Sequence, residues 1–234
     1  MKLFGIDIWG KNSTAKLKRV EQFSQIMVIA NNIARSNPQA LSDLIRALLR
    51  PLQSEHILAV AERDDHQAPD QIDGNSFFFS NNEIFSQSKY FQQSAPKVAL
   101  NLASDPILPT PWRRDGFVNA LATIGIGKKC GAWIQEPNHV FLLWLPWGIG
   151  FVGGGNHSIS SGILSGKNIP IIINEVYDFS PVLDLVKCDG ATYSDKLTGV
   201  MLAEVTDQRR AAVFEIGRLM LQHQVKVGTQ VTNS

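Results

Sequence analysis

Residues 153–158 read Gly-Gly-Gly-Asn-His-Ser and combine the backbone and side chains best suited to chemistry. They follow an apolar segment that predicts a strand, and a helical spacing begins with Ile159 and Ile163. Glycine reaches positive φ without a Cβ clash and lets another molecule approach the backbone closely. Because N–H groups at a helix start attract anions, this stretch predicts a seat for a phosphate or a carboxylate.

Five residues of this turn are candidate ligand contacts. Gly153, Gly154 and Gly155 either only shape a tight turn or admit phosphate oxygens to backbone N–H groups. Three glycines directly before a helix favour the second interpretation. Asn156 and Ser158 can cap the helix, and contact with a ligand would be their second role.

His157, at the start of the predicted helix, is the candidate catalytic residue. A histidine can donate a hydrogen bond to phosphate, or act as a general acid near neutral pH. The alternative is a histidine that hydrogen-bonds the backbone at the helix start. We take the contact with a ligand as the hypothesis.

Arg113 and Arg114 follow a proline-rich loop and precede a predicted helix. Positive charge at a helix start opposes the helix dipole, and a nearby anion would relieve this mismatch. One interpretation is therefore that one of the two guanidinium groups neutralises a bound phosphate. The alternative is a pair of surface residues.

Asp105 and Glu175 are candidate ligands of Mg²⁺, because this cation prefers carboxylate oxygens. Each carboxylate taken alone is more typical of a cap or a surface charge. Asp64, Asp65 and His66 could also suggest a metal site, but their polar surroundings are typical of a loop.

Tryptophans are concentrated near the proposed site, at Trp112, Trp133, Trp144 and Trp147. Core packing explains most of them, and stacking on a nucleobase could explain one.

Composition limits the classes of function. The 234 residues are 44% hydrophobic, enough for one sizeable core. A formal net charge of +1 argues against a strong nucleic-acid footprint, because duplex-binding modules usually carry a basic stripe.

The amino terminus lacks a signal-peptide pattern, and the apolar run 140–149 is too short to span a bilayer. Cys130 and Cys188 form no metal-binding pattern, which favours two free thiols. We therefore expect a cytoplasmic protein without a membrane segment.

Composition also divides the chain into four segments. Residues 1–63 carry two runs of helical spacing separated by a proline and predict a helical hairpin. Residues 64–96 are polar, and predict a linker or an insertion that docks on the core through its aromatic residues. Residues 97–180 predict the functional core. Residues 181–234 predict an extension with one helix, and we expect fraying from about residue 226.

The functional core predicts an α+β arrangement. In order, the patterns indicate a strand over 98–102, an extended loop over 105–112, a helix over 117–124, a hairpin of 132–135 with 140–145, and a strand over 169–177.

This order of elements resembles the ParB/sulfiredoxin-like superfamily. The residues that carry the resemblance are 152–163, then Gly166, then the Ile-Pro-Ile-Ile run of 169–172. The resemblance implies a mixed sheet with flanking helices, and a site for nucleotide or nucleic-acid phosphate at the glycine turn. It covers about a third of the chain.

The sequence departs from that superfamily at two points of the turn. Members often carry an arginine after the polar pair, where this chain has Ser158. The resemblance places the proline-rich loop nearby, so Arg113 or Arg114 could replace it. The sulfiredoxin-type cysteine is also absent, because Gly155, Asn156 and His157 occupy the region. Repair of sulfinic acids is therefore not expected.

The function expected from these residues is phosphate handling. The chain would bind a nucleotide or nucleic-acid phosphate at the turn, and could be a nuclease or a nucleotide phosphohydrolase assisted by Mg²⁺. The alternative is a non-catalytic module that binds DNA or a protein. In that case the N-terminal helices would bind a partner or a second copy of the chain.

Overall fold

We describe the chain from a computed structural model. The residues that it describes are 8–63, 70, 72–80, 92–94, 97–173 and 175–231. The metal hypothesis on Asp64, Asp65 and His66 lies outside these ranges, as does most of the predicted linker.

Six α-helices lie within the described ranges, and the prediction of an α+β fold is confirmed. The helices are α1 (Ile8–Ser36), α2 (Leu41–Glu62), α3 (Arg114–Thr123), α4 (Asn156–Leu164), α5 (Ser180–Leu185) and α6 (Gln208–Gln222).

Eleven described strands form three sheets. The strands are β1 (Gln92–Ser94), β2 (Lys97–Asn101), β3 (Ile107–Leu108), β4 (Val140–Leu145), β5 (Ile149–Gly154), β6 (Pro170–Ile173), β7 (Glu175–Asp178), β8 (Val186–Cys188), β9 (Thr192–Asp195), β10 (Met201–Glu204) and β11 (Thr229–Val231). The largest sheet has the order β1-β7-β4-β5-β3, and the smaller ones have the orders β10-β9-β8 and β11-β2-β6.

Helix α6 organises the larger of two hydrophobic clusters. Helices α1 and α2 both pack on it, so the two predicted N-terminal helices are present and bury part of their apolar surface there. Phe77, Phe78 and Phe79 are buried in the same cluster, as expected for aromatic residues that dock on the core. Trp147 is 1% exposed and donates from Nε1 to the carbonyl of Phe214 in α6.

The second cluster lies under the candidate site. It joins the small β2–β6 sheet to α3 and α4 through residues such as Leu100, Phe117, Ile159 and Ile171, all of which are buried. Helices α3 and α4 also pack against each other. The buried face of α4 therefore packs on this cluster.

The predicted hairpin of 132–135 with 140–145 is wrong. Strand β4 is present, but it pairs with β5 and with β7, and residues 132–135 are not a strand. Instead, the Gln135 side chain hydrogen-bonds the backbone of β6, as a neighbouring strand would. Its Nε2 donates to the carbonyl of Ile172 over 2.8 Å, and its Oε1 accepts from the N–H of Ile172 over 2.7 Å. One amide side chain therefore satisfies the edge of β6.

Three further expectations need correction. The single strand predicted over 169–177 is two strands, β6 and β7, which belong to different sheets. The fraying expected from residue 226 is not seen over residues 226–231, because β11 pairs with β2. The segment 181–234 contains α5 and the three-stranded sheet as well as the predicted helix α6. These strands are three or four residues long, too short to show a clear period.

Two other sequence-based expectations can be compared directly. No helix in the described part of the chain has the length and apolar character needed to cross a membrane. Both cysteines are free thiols, with Cys130 exposed and Cys188 buried. Burial raises the pKa of the Cys188 thiol to about 12, so this thiol is protonated at neutral pH.

Candidate anion-binding site

Parallel pairing of two strands builds the corner that contains the candidate site. Strands β3 and β5 run side by side, with Ile107 opposite Gly150 and Leu108 opposite Phe151. Helix α4 begins directly after β5, and a proline-rich loop of residues 109–113 follows β3. Because the carboxyl ends of parallel strands meet at one edge, this loop lies against the first turn of α4.

Two hydrogen bonds tie the loop to the helix. The N–H of Thr110 donates to Oδ1 of Asn156 over 2.7 Å. The N–H of Arg113 donates to Nε2 of His157 over 3.1 Å. Both polar side chains at the start of α4 are therefore used to hold the backbone of the loop.

Gly155 is the N-cap of α4, so the expectation that Asn156 or Ser158 caps this helix is wrong. Gly155 has φ 78°, in the left-handed region, and no side chain caps the helix. Asn156 is the first helical residue, and Ser158 accepts from Trp133 Nε1 over 3.0 Å. A Cβ on Gly155 would overlap His139 Cδ2, so this position needs glycine for both conformation and space.

The uncapped start of α4 leaves backbone donors without a side-chain acceptor. The first helical bond runs from the N–H of Ile159 to the carbonyl of Gly155. Within the described residues, no acceptor faces the N–H groups of Asn156, His157 and Ser158. These three residues are half-buried. Three donors at the positive end of the helix dipole can hold an anion.

The other two glycines of the predicted turn belong to β5. Gly154 pairs with Val140 of β4, and a Cβ on it would come within 2.8 Å of the carbonyl oxygen of Asn138. Gly153 is exposed, and a Cβ there would be 3.3 Å from Val140. The prediction that a strand, a glycine and a helix follow one another is confirmed, but only Gly155 makes the turn.

His157 makes the backbone contact that was the alternative to a ligand contact. Its Nε2 accepts a hydrogen bond from Arg113, so the proton of the neutral ring is on Nδ1. Burial lowers the pKa of His157, and the nearby guanidinium of Arg113 lowers it further. The ring is therefore neutral at pH 7. Proton transfer by His157 stays a prediction, and only Nδ1 can serve it while this bond persists.

The two arginines have different surroundings. Arg113 has its guanidinium 5.5 Å from the centre of the Trp112 ring, and its Nε lies 2.8 Å from Oδ1 of Asp115. Its side chain is 60% exposed, at the rim of the corner. Arg114 instead donates to the carbonyl of Arg63 at the end of α2. Arg113 is thus the guanidinium that the structure brings to the candidate site.

The predicted magnesium ligands are not brought together. Asp105 precedes β3, whereas Glu175 begins β7, which is antiparallel to β5 and therefore to β3. The two carboxylates consequently lie at opposite ends of the five-stranded sheet and cannot share one ion. Oδ1 of Asp105 accepts from Arg46 over 2.7 and 3.0 Å, and Oδ2 accepts from the N–H of Asn101 over 2.6 Å. Asp105 is therefore engaged in an ion pair.

Glu175 has a local partner. Its Oε2 accepts from the hydroxyl of Tyr177 over 3.2 Å. Within the described residues, no group of three His, Cys, Asp or Glu side chains is placed to hold a metal ion. Magnesium as a cofactor stays a prediction.

His139 also belongs to the site, although the sequence analysis did not single it out as a candidate. It is 5% exposed, stacks on Trp133 with ring centres 4.8 Å apart, and lies beneath Gly155. Its Nδ1 accepts from the N–H of Glu136 over 2.8 Å, and burial lowers its pKa. The proton is therefore on Nε2, which is buried and has no partner in the described part of the protein. No local sequence pattern predicts this position, because His139 contacts Gly155, which is distant in the sequence.

The whole of this corner falls within a family match. The family model, which covers residues 8–227, describes DUF6710 as a family of unknown function. The chain belongs to DUF6710. No curated protein and no solved structure matches it significantly. The DUF6710 match includes all three sheets except β11, and it includes every residue of the candidate site.

Gly155→Ala is expected to destabilise the protein by about 2 kcal/mol or more, because it adds left-handed strain to an overlap with His139. Gly153→Ala, on the exposed end of β5, is the matched control and should change the free energy of unfolding by less than about 1 kcal/mol. Urea unfolding of both variants measures the difference. Equal losses would contradict the role assigned to Gly155.

The neutral His157 should make stability depend on pH. Because burial lowers its pKa below 6.5, the unfolded chain binds more protons as the pH falls through 6.5. The free energy of unfolding should therefore decrease as the pH falls from about 7 to about 5. His157→Gln keeps an acceptor for Arg113 and removes this titration, so its decrease should be shallower. Urea unfolding at several pH values tests this, with the exposed His223→Gln as control, and an unchanged slope in His157→Gln would refute it.

Proposed function

We propose that this DUF6710 protein binds the phosphate of a nucleotide at the first turn of α4. The observation that carries the proposal is the group of three N–H donors, on Asn156, His157 and Ser158, that face no acceptor in the described structure. The three residues are half-buried and lie at the positive end of a helix. Phosphate oxygens are the acceptors that such a helix start commonly holds.

The geometry also offers a substitute for the arginine that ParB/sulfiredoxin-like turns often carry. Arg113 lies at the rim of the corner, and its N–H is bonded to His157. Its present partner, Asp115, is 75% exposed at the side chain, so solvent screens this ion pair. A phosphate would compete for the same guanidinium through charge-assisted hydrogen bonds. The ParB/sulfiredoxin-like fold is itself part of the proposal.

Trp112 supplies a surface for the base of the nucleotide. It is 49% exposed, whereas Trp133, Trp144 and Trp147 are buried, so it is the residue to which we assign base stacking among the four tryptophans. Its ring centre lies 5.6 Å from that of His157, directly beside the proposed phosphate seat.

Hydrolysis of the bound nucleotide is a separate step of the proposal. None of the contacts at the corner activates a water molecule, so the case for a nuclease or a phosphohydrolase rests on the resemblance. Binding is the part that the geometry supports best. Binding of DNA stays a prediction, as does binding of a protein partner or a second copy through α1 and α2. Part of the apolar surface of both helices packs on α6, and Val28, Ile29 and Leu58 remain exposed.

Calorimetric titration with ATP, CTP and ADP, with and without Mg²⁺, tests the proposed function. Ser158→Asp should weaken nucleotide binding by at least about tenfold, because the new carboxylate repels phosphate. The fold should persist, since a carboxylate suits a helix start and can still accept from Trp133. Asn168→Asp, an exposed change outside the corner, is the matched control. Absence of heat for every nucleotide, or equal binding by both variants, would refute the proposal.

Trp112→Ala is expected to weaken nucleotide binding by about 5- to 100-fold through loss of base stacking. Binding of inorganic triphosphate should not change, because the N–H donors remain. Val118→Ala removes another exposed apolar side chain from the neighbouring helix α3 and serves as control. If both ligands lose affinity equally in Trp112→Ala, the tryptophan acts on the fold rather than on the base.

A further inference from the structure

A cavity lies along α4, at the other end from the phosphate corner. It occupies about 370 Å³ between the end of α3 and the end of α4. This volume falls within the range of small-molecule sites. The apolar residues that line it include Leu121, Ile124, Trp133, Leu164 and Ile169.

The hydroxyl groups of the cavity are already used. Ser161 donates to the carbonyls of Ala120 and Ile124, 3.2 and 3.3 Å away. Ser165 donates to the carbonyl of Gly162 over 2.6 Å. A ligand in this cavity would therefore meet apolar walls and few unsatisfied neutral polar groups.

The charged groups of the cavity all have the same sign. Lys128 and Lys167 line it and are exposed, and no acidic side chain lines it. Lys128 donates to the carbonyl of Leu121, near the end of α3. Lys167 has no ion pair or hydrogen bond from its side chain within the described structure. An apolar cavity with two cations and no anion complements a negatively charged head group on an apolar chain.

We propose that this cavity binds an amphipathic carboxylate such as a medium-chain fatty acid. The acyl chain would lie between α3 and α4, and the carboxylate would pair with Lys128 and Lys167. Two apolar side chains at this surface, Ile126 at 73% and Leu164 at 54% exposure, would lose contact with water when the chain binds. This site does not depend on nucleotide binding at the first turn of α4.

Calorimetry with decanoate, decanol and decylamine, each below its micelle concentration, tests the charge requirement. Decanoate should bind saturably with one site, decanol about tenfold more weakly, and the decyl ammonium ion more weakly still. Equal affinity for the three head groups, or no saturable binding of decanoate, would overturn the proposal.

Three variants separate the head group from the chain. The double variant Lys128→Gln with Lys167→Gln should weaken decanoate about tenfold and leave decanol unchanged. Lys129→Gln, an exposed lysine outside the cavity, is the matched control. Leu164→Gln should weaken both ligands because it removes an apolar wall. If Lys129→Gln weakens decanoate as much as the double variant does, general attraction to positive charge explains the binding and the assigned site is wrong.

Discussion

Two hydrogen bonds from the loop of residues 109–113 to helix α4 determine the geometry of the candidate site. Two of the five loop residues are prolines, so only three backbone N–H groups remain. Two of these three, those of Thr110 and Arg113, donate to the side chains of Asn156 and His157. The parallel pairing of β3 with β5 brings the loop into reach. Without that register, the polar side chains of α4 would have no backbone to hold.

The same contacts explain why the backbone of α4 remains available. In most helices an N-cap side chain accepts from the second or third N–H group and contributes about 1 kcal/mol. Here the N-cap is Gly155, and the neighbouring side chains point toward the loop or toward Trp133. The helix therefore forgoes an internal cap, and a bound anion would provide the missing acceptor. His139, buried beneath Gly155, explains why no larger residue fits.

The local part of this arrangement could be predicted from the sequence, and the non-local part could not. An apolar run, a glycine and a polar helix start are visible over residues 149–164, and the structure contains them in that order. The false hairpin arose because residues 132–135 have the composition of a strand. Instead of a strand at the edge of β6, the side chain of Gln135 makes the hydrogen bonds with Ile172. No local sequence pattern predicts this contact. Likewise, Asp105 and Glu175 lie at opposite ends of the five-stranded sheet because of the directions of its strands, which the local sequence does not show.

An anion site built from backbone dipoles is compatible with a net charge of +1. Helix N–H groups carry partial positive charge without adding a cation to the composition. Arg113 then brings a full positive charge to the corner, and its exposed position suits a group that exchanges Asp115 for a ligand. His157 must stay neutral to accept the Arg113 N–H, so it helps to shape the corner rather than to charge it. The positive potential at the corner therefore comes from the dipole of helix α4 and from Arg113 in the loop bonded to it.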